Sequence, residues 1–233
     1  MGNGDSKKKE AQGPSQQPAP TPSPGSGPGN VQLRGSEGMD PKDIQLFGAT
    51  QLGQLDHIAI LLQAKANVNA QTAHPHNRRP LAEAAIQGQA EAIKVLLEAK
   101  AELEQANLRG MTALHMACTN DRVNCIRALV EAKANIEASS DKGFRPLYCI
   151  AARNAEGTKY LIEAKADLEA ETTTKHRALH QAAVLGSVDC VKVLLEAKAE
   201  VSPVDEEGKT PLAAALALNQ ADVVKLLQDN GVS

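Results

Sequence analysis

One ten-residue phrase recurs along this chain. "VLLEAKAELE" at 95–104 returns as "ALVEAKANIE" at 128–137, "YLIEAKADLE" at 160–169 and "VLLEAKAEVS" at 193–202, and an earlier copy reads "ILLQAKANVN" at 60–69. The central lysine falls at positions 65, 100, 133, 165 and 198, with separations of 35, 33, 32 and 33 residues. A second phrase keeps step: "RPLAEAAIQG" from 79, "TALHMACTND" from 112, "RPLYCIAARN" from 145, "RALHQAAVLG" from 177 and "TPLAAALALN" from 210, with a weaker relative, "IQLFGATQLG", from 44. The count is six units, five clear and the first degenerate. A period near 33 residues constrains the fold more than any other feature. One such unit cannot bury its own apolar face, so the units must stack.

Each unit reads as a helical hairpin. The opening Thr or Arg, followed by Pro or Ala and then Leu, starts a short Ala-rich helix: Thr is a good N-cap, and Pro costs no hydrogen bond in a first helical turn. Gly88, Asn154, Gly186 and Asn219 stand where that helix should close in a left-handed residue. A second helix follows, with apolar residues such as Ile93, Leu96 and Leu97 at helical spacing. A polar stretch containing Gly110, Gly143 or Gly208 then turns the chain toward the next unit.

The period, the "TPLH"-like openers and the "LLEAKAELE" closers together resemble the ankyrin repeat over residues of roughly 41 to 233. The resemblance implies an all-α solenoid of stacked helix–turn–helix units with projecting hairpin fingers. In that family the opener's Thr and His form hydrogen bonds that tie neighbouring turns. Here only His115 and His180 are kept, and only the Thr112–His115 pair retains both partners. The lysine of "AKA" stands where the family has Gly, and a left-handed lysine costs on the order of 1 kcal/mol relative to Gly. Either that turn relaxes, or five repeats carry the cost, offset in part by a cation at a helix C-terminus. The unit opened by Arg145 is one residue short and holds Gly157 inside its second helix, so it is expected to be the most distorted. Gln228 replaces an apolar residue on the last helix, as a capping unit requires.

Composition removes several function classes. The net charge is −3, there is no Trp, and there are two Tyr and two Phe, so neither basic grooves nor stacking platforms for nucleic acid are expected. "GKT" at 208–210 resembles the end of a phosphate loop, but the required earlier glycine is Pro203. His74 and His76 have no Cys or carboxylate close by to complete a metal site. Cys118, Cys125, Cys149 and Cys190 form no close Cys pair and read as reduced thiols, Cys125 and Cys190 as small core residues. No catalytic constellation appears, and no cofactor or metal is expected; the chain reads as a non-enzyme.

The positive reading is protein binding. Residues beside the finger turns (Arg78, Arg109, Met111, Phe144, His176 and Lys209) and outward positions of the first helices (Gln87, Asn120, Arg153, Leu185 and Leu218) are the candidate partner contacts. Phe144, Met111, Leu185 and Leu218 would be apolar anchors in a polar rim.

Residues 1–40 differ in texture. Residues 11–30 hold six of the twelve prolines and few hydrophobics, so a disordered tail is expected. It opens "MGNGDSKKKE", in which Gly2 and Ser6 match the N-myristoylation pattern. Lys7, Lys8 and Lys9 add an electrostatic signal for an anionic membrane surface. The tail would then be a tether of about 35 Å. The expected protein is a monomeric, cytoplasmic scaffold held near a membrane through Gly2. The alternative is a soluble inhibitor or regulatory subunit of a partner enzyme, without lipid.

Overall fold

The computed structural model describes residues 36–73 and 77–231. The chain divides into Met1–Asn30 and Val31–Ser233, and every described residue belongs to the second unit. Gly2, Lys7, Lys8 and Lys9, the expected tail up to residue 35, and the His74-Pro75-His76 loop lie outside the described residues.

Among the described residues there are twelve α-helices and no strand: α1 (Pro41–Leu52), α2 (Leu55–Gln63), α3 (Pro80–Gln87), α4 (Ala90–Glu98), α5 (Ala113–Thr119), α6 (Val123–Glu131), α7 (Pro146–Ile150), α8 (Ala155–Glu163), α9 (Ala178–Val184), α10 (Val188–Glu196), α11 (Pro211–Ala217) and α12 (Ala221–Asp229). Odd-numbered helices pack on one another to form an inner layer, even-numbered helices form an outer layer, and each odd helix packs on the even helix that follows it. The all-helical, two-layer stack expected from the sequence is therefore the architecture found.

Side-chain size explains the layers. The inner helices meet through Ala84, Ala85, Ala117, Ala151, Ala182, Ala183 and Ala215, all fully buried. The outer helices bury Ile58, Ile93, Ile126, Leu96, Leu129, Leu161, Val191, Leu194 and Leu227 at 0 % exposure, and the inner helices add larger residues such as Leu46, Phe47, Leu114, Ile150 and Leu179. Each such aliphatic side chain contributes about 1.5–3 kcal/mol by leaving water.

The recurring phrase proves to be a helix-closing device. At each copy the lysine is left-handed, with φ of 66°, 69°, 70°, 73° and 69° at Lys65, Lys100, Lys133, Lys165 and Lys198. The lysine N–H donates to the carbonyl three residues back, and the next alanine N–H donates five residues back, as in Lys100 to Leu97 (2.9 Å) and Ala101 to Leu96 (2.9 Å). This is a Schellman closure, with its apolar contact supplied by the buried Leu–Ala pair. The turns do not relax to avoid the lysine.

The last residue of the phrase works on the next unit. Asn69, Glu104, Glu137 and Glu169 each accept, through a side-chain oxygen, the backbone N–H of Glu102, Asn135, Asp167 and Glu200, at 2.9, 2.9, 2.8 and 2.8 Å. The phrase thus ends one helix and latches the following turn. Three openers carry Arg where Thr is expected, and each Arg reaches back to the same segment. Arg79 donates to Asn69 O at 2.8 Å, Arg145 to Glu137 Oε2 at 2.6 Å and Arg177 to Glu169 Oε2 at 2.6 Å.

The short unit departs from its neighbours as expected, with α7 only five residues long. One expectation is overturned there. Asn154 is not a left-handed closing residue: its φ is −147°, and its Oδ1 accepts the Gly157 N–H at 2.9 Å to cap α8. With one residue missing, the end of one helix and the start of the next share the same few positions, and Asn154 is used for the start. Gly157 is needed for close approach, because a Cβ there would lie 2.9 Å from Ile150 Cγ1.

Candidate functional site

Five hairpin fingers join the helix pairs, and each is pinned by a short polar side chain. Thr72, Asn107, Ser140, Thr172 and Asp205 hold equivalent positions. Each donates its backbone N–H across the finger, to Arg78, Met111, Phe144, His176 and Lys209 O at 2.9–3.0 Å. Each also accepts the return N–H with its side-chain oxygen, at 2.8–3.1 Å. Gly110, Gly143 and Gly208 take positive φ at the tips, and in the fourth finger Lys175 does so instead.

Adjacent fingers are joined through their backbones: Asp141 N–H donates to Arg109 O (3.0 Å), Thr173 N–H to Lys142 O (3.0 Å) and Glu206 N–H to Thr174 O (3.1 Å). Histidines supply a second tie beneath them. His115 Nδ1 accepts the Thr112 N–H at 3.1 Å, so its Nε2 carries the proton and donates to Phe144 O at 2.8 Å. His180 repeats this without a Thr, between Arg177 N–H (3.2 Å) and Lys209 O (3.2 Å). The His tie therefore survives where the family's Thr is lost. Burial lowers the pKa of both imidazoles and keeps them neutral, as this bonding requires.

Two cavities open on the finger side of the inner layer. One, of about 330 Å³, lies between the first two fingers and is lined by Arg78, Arg79, Leu108, Arg109 and Met111 with Ala82, Ile86, Met116 and Thr119 of α3 and α5. The second, of about 380 Å³, is lined by Arg109, Met111, Ser140, Asp141, Lys142 and Phe144. Arg109 and Met111 form the wall shared by the two.

The candidate contacts divide into two groups. Some are engaged internally. Arg78 Nη1 meets Glu83 Oε2 at 3.1 Å, and Gln87 Nε2 donates to Glu83 Oε1 at 2.9 Å, so both satisfy a carboxylate that is only 1 % exposed. Asn120 donates to Met116 O at 2.8 Å. His176 lies 3.1 Å from Asp205 Oδ2 and stacks on His180 at 5.3 Å between centroids. Phe144 stacks on Tyr148 at 4.9 Å, and Tyr148 in turn donates to Gln181. Burial of Tyr148 pushes its pKa up to about 12.

The others face outward. Arg109, Arg153 and Lys209 are exposed, and Leu185 and Leu218 each keep 51 % of their surface. Met111 is half-buried in the shared wall.

Sequence reasoning missed several exposed apolar residues, Leu55, Ile60 and Val204 among them, and three of the others break the pattern of the units. Leu108, 57 % exposed, stands at a finger tip where the other units have Asp141, Thr173 and Glu206, a contrast readable from the alignment of units. Leu52, 61 % exposed, belongs to the same row as Leu185 and Leu218 but sits in the degenerate first unit. Leu216 is 54 % exposed, while its counterparts Ala85, Cys118, Ala151 and Ala183 are fully buried. The expected polar residue of the last outer helix, Gln228, is exposed.

Among the described residues, no group of three or more His, Cys, Asp or Glu is placed to hold a metal ion, and no helix is long and apolar enough to cross a membrane. The four cysteines are free thiols, with Cys125 and Cys190 buried in the core. Burial holds the Cys118 thiol well above its ordinary pKa and pushes Cys125 and Cys149 up to about 11, which makes none of these three an activated nucleophile.

Two curated relatives share part of the chain. Protein phosphatase 1 regulatory subunit 27 from Mus musculus is 30 % identical over 80 residues, which is 34 % of this chain and 51 % of the relative. Its Homo sapiens counterpart is 29 % identical over the same extent. The similarity thus spans about half the length of the curated relatives it matches. A family model described as ankyrin repeats (3 copies) matches residues 81–172 and again 147–233. The repeats and these relatives support a protein-interaction or regulatory role. By the extent of the family match and the stacked helix pairs beneath it, the chain belongs to the ankyrin-repeat family.

Proposed function

We propose that this chain is a non-catalytic adaptor or regulatory subunit that captures a protein partner on the finger side of its inner helices. The observation that carries this reading is the pair of adjoining cavities sharing Arg109 and Met111. They adjoin across Arg109 and Met111 and set apolar side chains beside Arg79, Arg109 and Lys142, with Asp141 in the second cavity, the make-up of a partner anchor site. In this reading the repeat domain runs over 41–233, with α1–α2 as a sixth, divergent repeat, and the protein works as a cytoplasmic monomer. The relatives' name makes the catalytic subunit of protein phosphatase 1 the first partner to test.

The test is direct binding of the full chain to that catalytic subunit, by calorimetry, for the parent and for Met111→Asp and Arg109→Glu. Tight binding by the parent and loss in both variants, with unchanged melting temperatures, supports the reading. Binding that both variants keep in full removes the recess from the interface, and no binding by the parent removes this phosphatase as the partner.

A second reading adds a lipid anchor, favoured by Gly2, Ser6 and Lys7–Lys9 standing together at 2–9. Residues 1–40 would then act as a tether that brings the captured partner to a membrane. Mass spectrometry of the N-terminal peptide, with membrane fractionation of the parent and Gly2→Ala, tests it. An unmodified Gly2, or equal membrane association of the two proteins, overturns it.

A further inference from the structure

Charge is distributed unevenly along the finger row. At the leading end Arg78, Arg79 and Arg109 line the first cavity, with no carboxylate among its described lining residues, and of these Arg78 is paired with the buried Glu83 of α3. At the trailing end the fifth finger carries Asp205, Glu206 and Glu207 against Lys209. The second to fifth fingers are fixed to one another by their backbone hydrogen bonds, so Arg109 and the acidic fifth finger are held at a set separation. The cavities themselves hold their apolar walls toward the cationic end, with Leu108, Met111 and Met116 in the first and Phe144 in the second, while Val204 is exposed beside Asp205 at the acidic end.

We infer that the finger row receives an extended, dipolar segment of a protein partner. An aliphatic side chain enters the recess at Met111 and Met116, and carboxylates beside it meet Arg109. Lysines or arginines farther along the segment meet Glu206 and Glu207. This rests on the reading of the finger side as the partner site and adds the chemistry and polarity of what binds there. Packed helices stand ~8–10 Å apart, and an extended chain covers about 3.3 Å per residue. From the second finger to the fifth is therefore a span of about 7–9 residues. Matched charge at both ends selects the partner's orientation and speeds its encounter, and mismatched charge rejects other segments.

Arg109 and Glu206 suit the test because the side chain of neither takes part in an internal hydrogen bond or ion pair among the described residues. Two fluorescent fourteen-residue peptides of identical composition are compared by anisotropy with the full chain. One has leucine among aspartates at one end and lysines at the other; its partner has the same charges interleaved. The expected result is at least tenfold tighter binding of the blocked peptide in 50 mM salt, shrinking severalfold at 300 mM. Arg109→Glu and Glu206→Lys should each weaken it at least fivefold, and replacing the leucine by serine should do the same. Equal affinity for the two peptides, or charge reversals without effect, overturns the inference. The outcome is separable from that of the partner-site reading. If Met111→Asp abolishes capture of the phosphatase catalytic subunit while the two peptides bind alike, the site stands and the dipolar chemistry falls.

Discussion

The five left-handed lysines permit a quantitative test of where this fold stores strain. Lys133 serves well because it is exposed, has φ of 70° and engages no carboxylate in an ion pair among the described residues. An L-residue in this conformation costs roughly 1–2 kcal/mol. Glycine avoids that cost but gives up about 0.5–1 kcal/mol through its freer unfolded chain. The lysine charge at the end of α6 returns about 0.3–1 kcal/mol at low salt. Lys133→Ala keeps the strain and removes the charge, so it should destabilise by about 0.3–1 kcal/mol at low salt and by almost nothing at 0.5 M salt. Lys133→Gly should be more stable than Lys133→Ala by about 0.5–1 kcal/mol at both salts. Against the parent, the glycine variant should be close to neutral at low salt and about 0.5–1 kcal/mol more stable at high salt. Urea unfolding followed by circular dichroism at two salt concentrations resolves these differences. If the alanine and glycine variants unfold together at both salts, the closing turn carries no strain, and the explanation of the repeated phrase given above is wrong.

Three further outcomes are expected. His115 and His180 are neutral in the fold, with pKa lowered first by burial, whereas the unfolded chain titrates at the ordinary 6.5. Their contribution is thus complete above that value and is lost as pH falls below it toward the lowered folded values, so the melting temperature should drop from pH 7 to pH 5 and drop less in a His115→Asn, His180→Asn variant. Gly157→Ala brings a Cβ within 2.9 Å of Ile150 Cγ1 and 3.3 Å of Cδ1. Overpacking of about 1–3 kcal/mol should outweigh a helix-propensity gain of about 1 kcal/mol, and in an Ile150→Ala background, which lacks both atoms, the Gly157→Ala loss should shrink in a double-mutant unfolding series. Arg177 meets Glu169, Glu171 and Glu200, all partly exposed. Arg177→Met should therefore cost only about 1 kcal/mol at low salt, less at 0.5 M, and an undiminished loss at high salt would point to packing rather than charge.

Much of this protein was legible in one sequence because its repeats report on each other. Period, helix order, the buried Ile93 and Leu96 with the half-buried Leu97, and the glycine-turned fingers all follow from letters that return every 32 to 35 residues. A feature dictated by short-range geometry, such as a helix end or a tight turn, is written where it acts and can be read there. Asn154 shows the limit even of local reading: with this unit one residue short, the same asparagine could close one helix or cap the next, and in the fold its Oδ1 caps α8 through the Gly157 N–H.

Only the tertiary structure decided which candidate side chains remain available to a partner. Arg78 and Gln87 look as free in the sequence as Arg109 and Leu185, yet both are engaged by the buried Glu83, five and four residues away in the chain. The His180 tie reaches Lys209, 29 residues on, and the recess at Arg109 and Met111 exists only because consecutive fingers meet side by side. The repeat therefore determined the scaffold by itself, since every unit must present the same packing face. The proposed binding surface depends on contacts between units, whose energies are set by distance in space and leave no local trace in the chain.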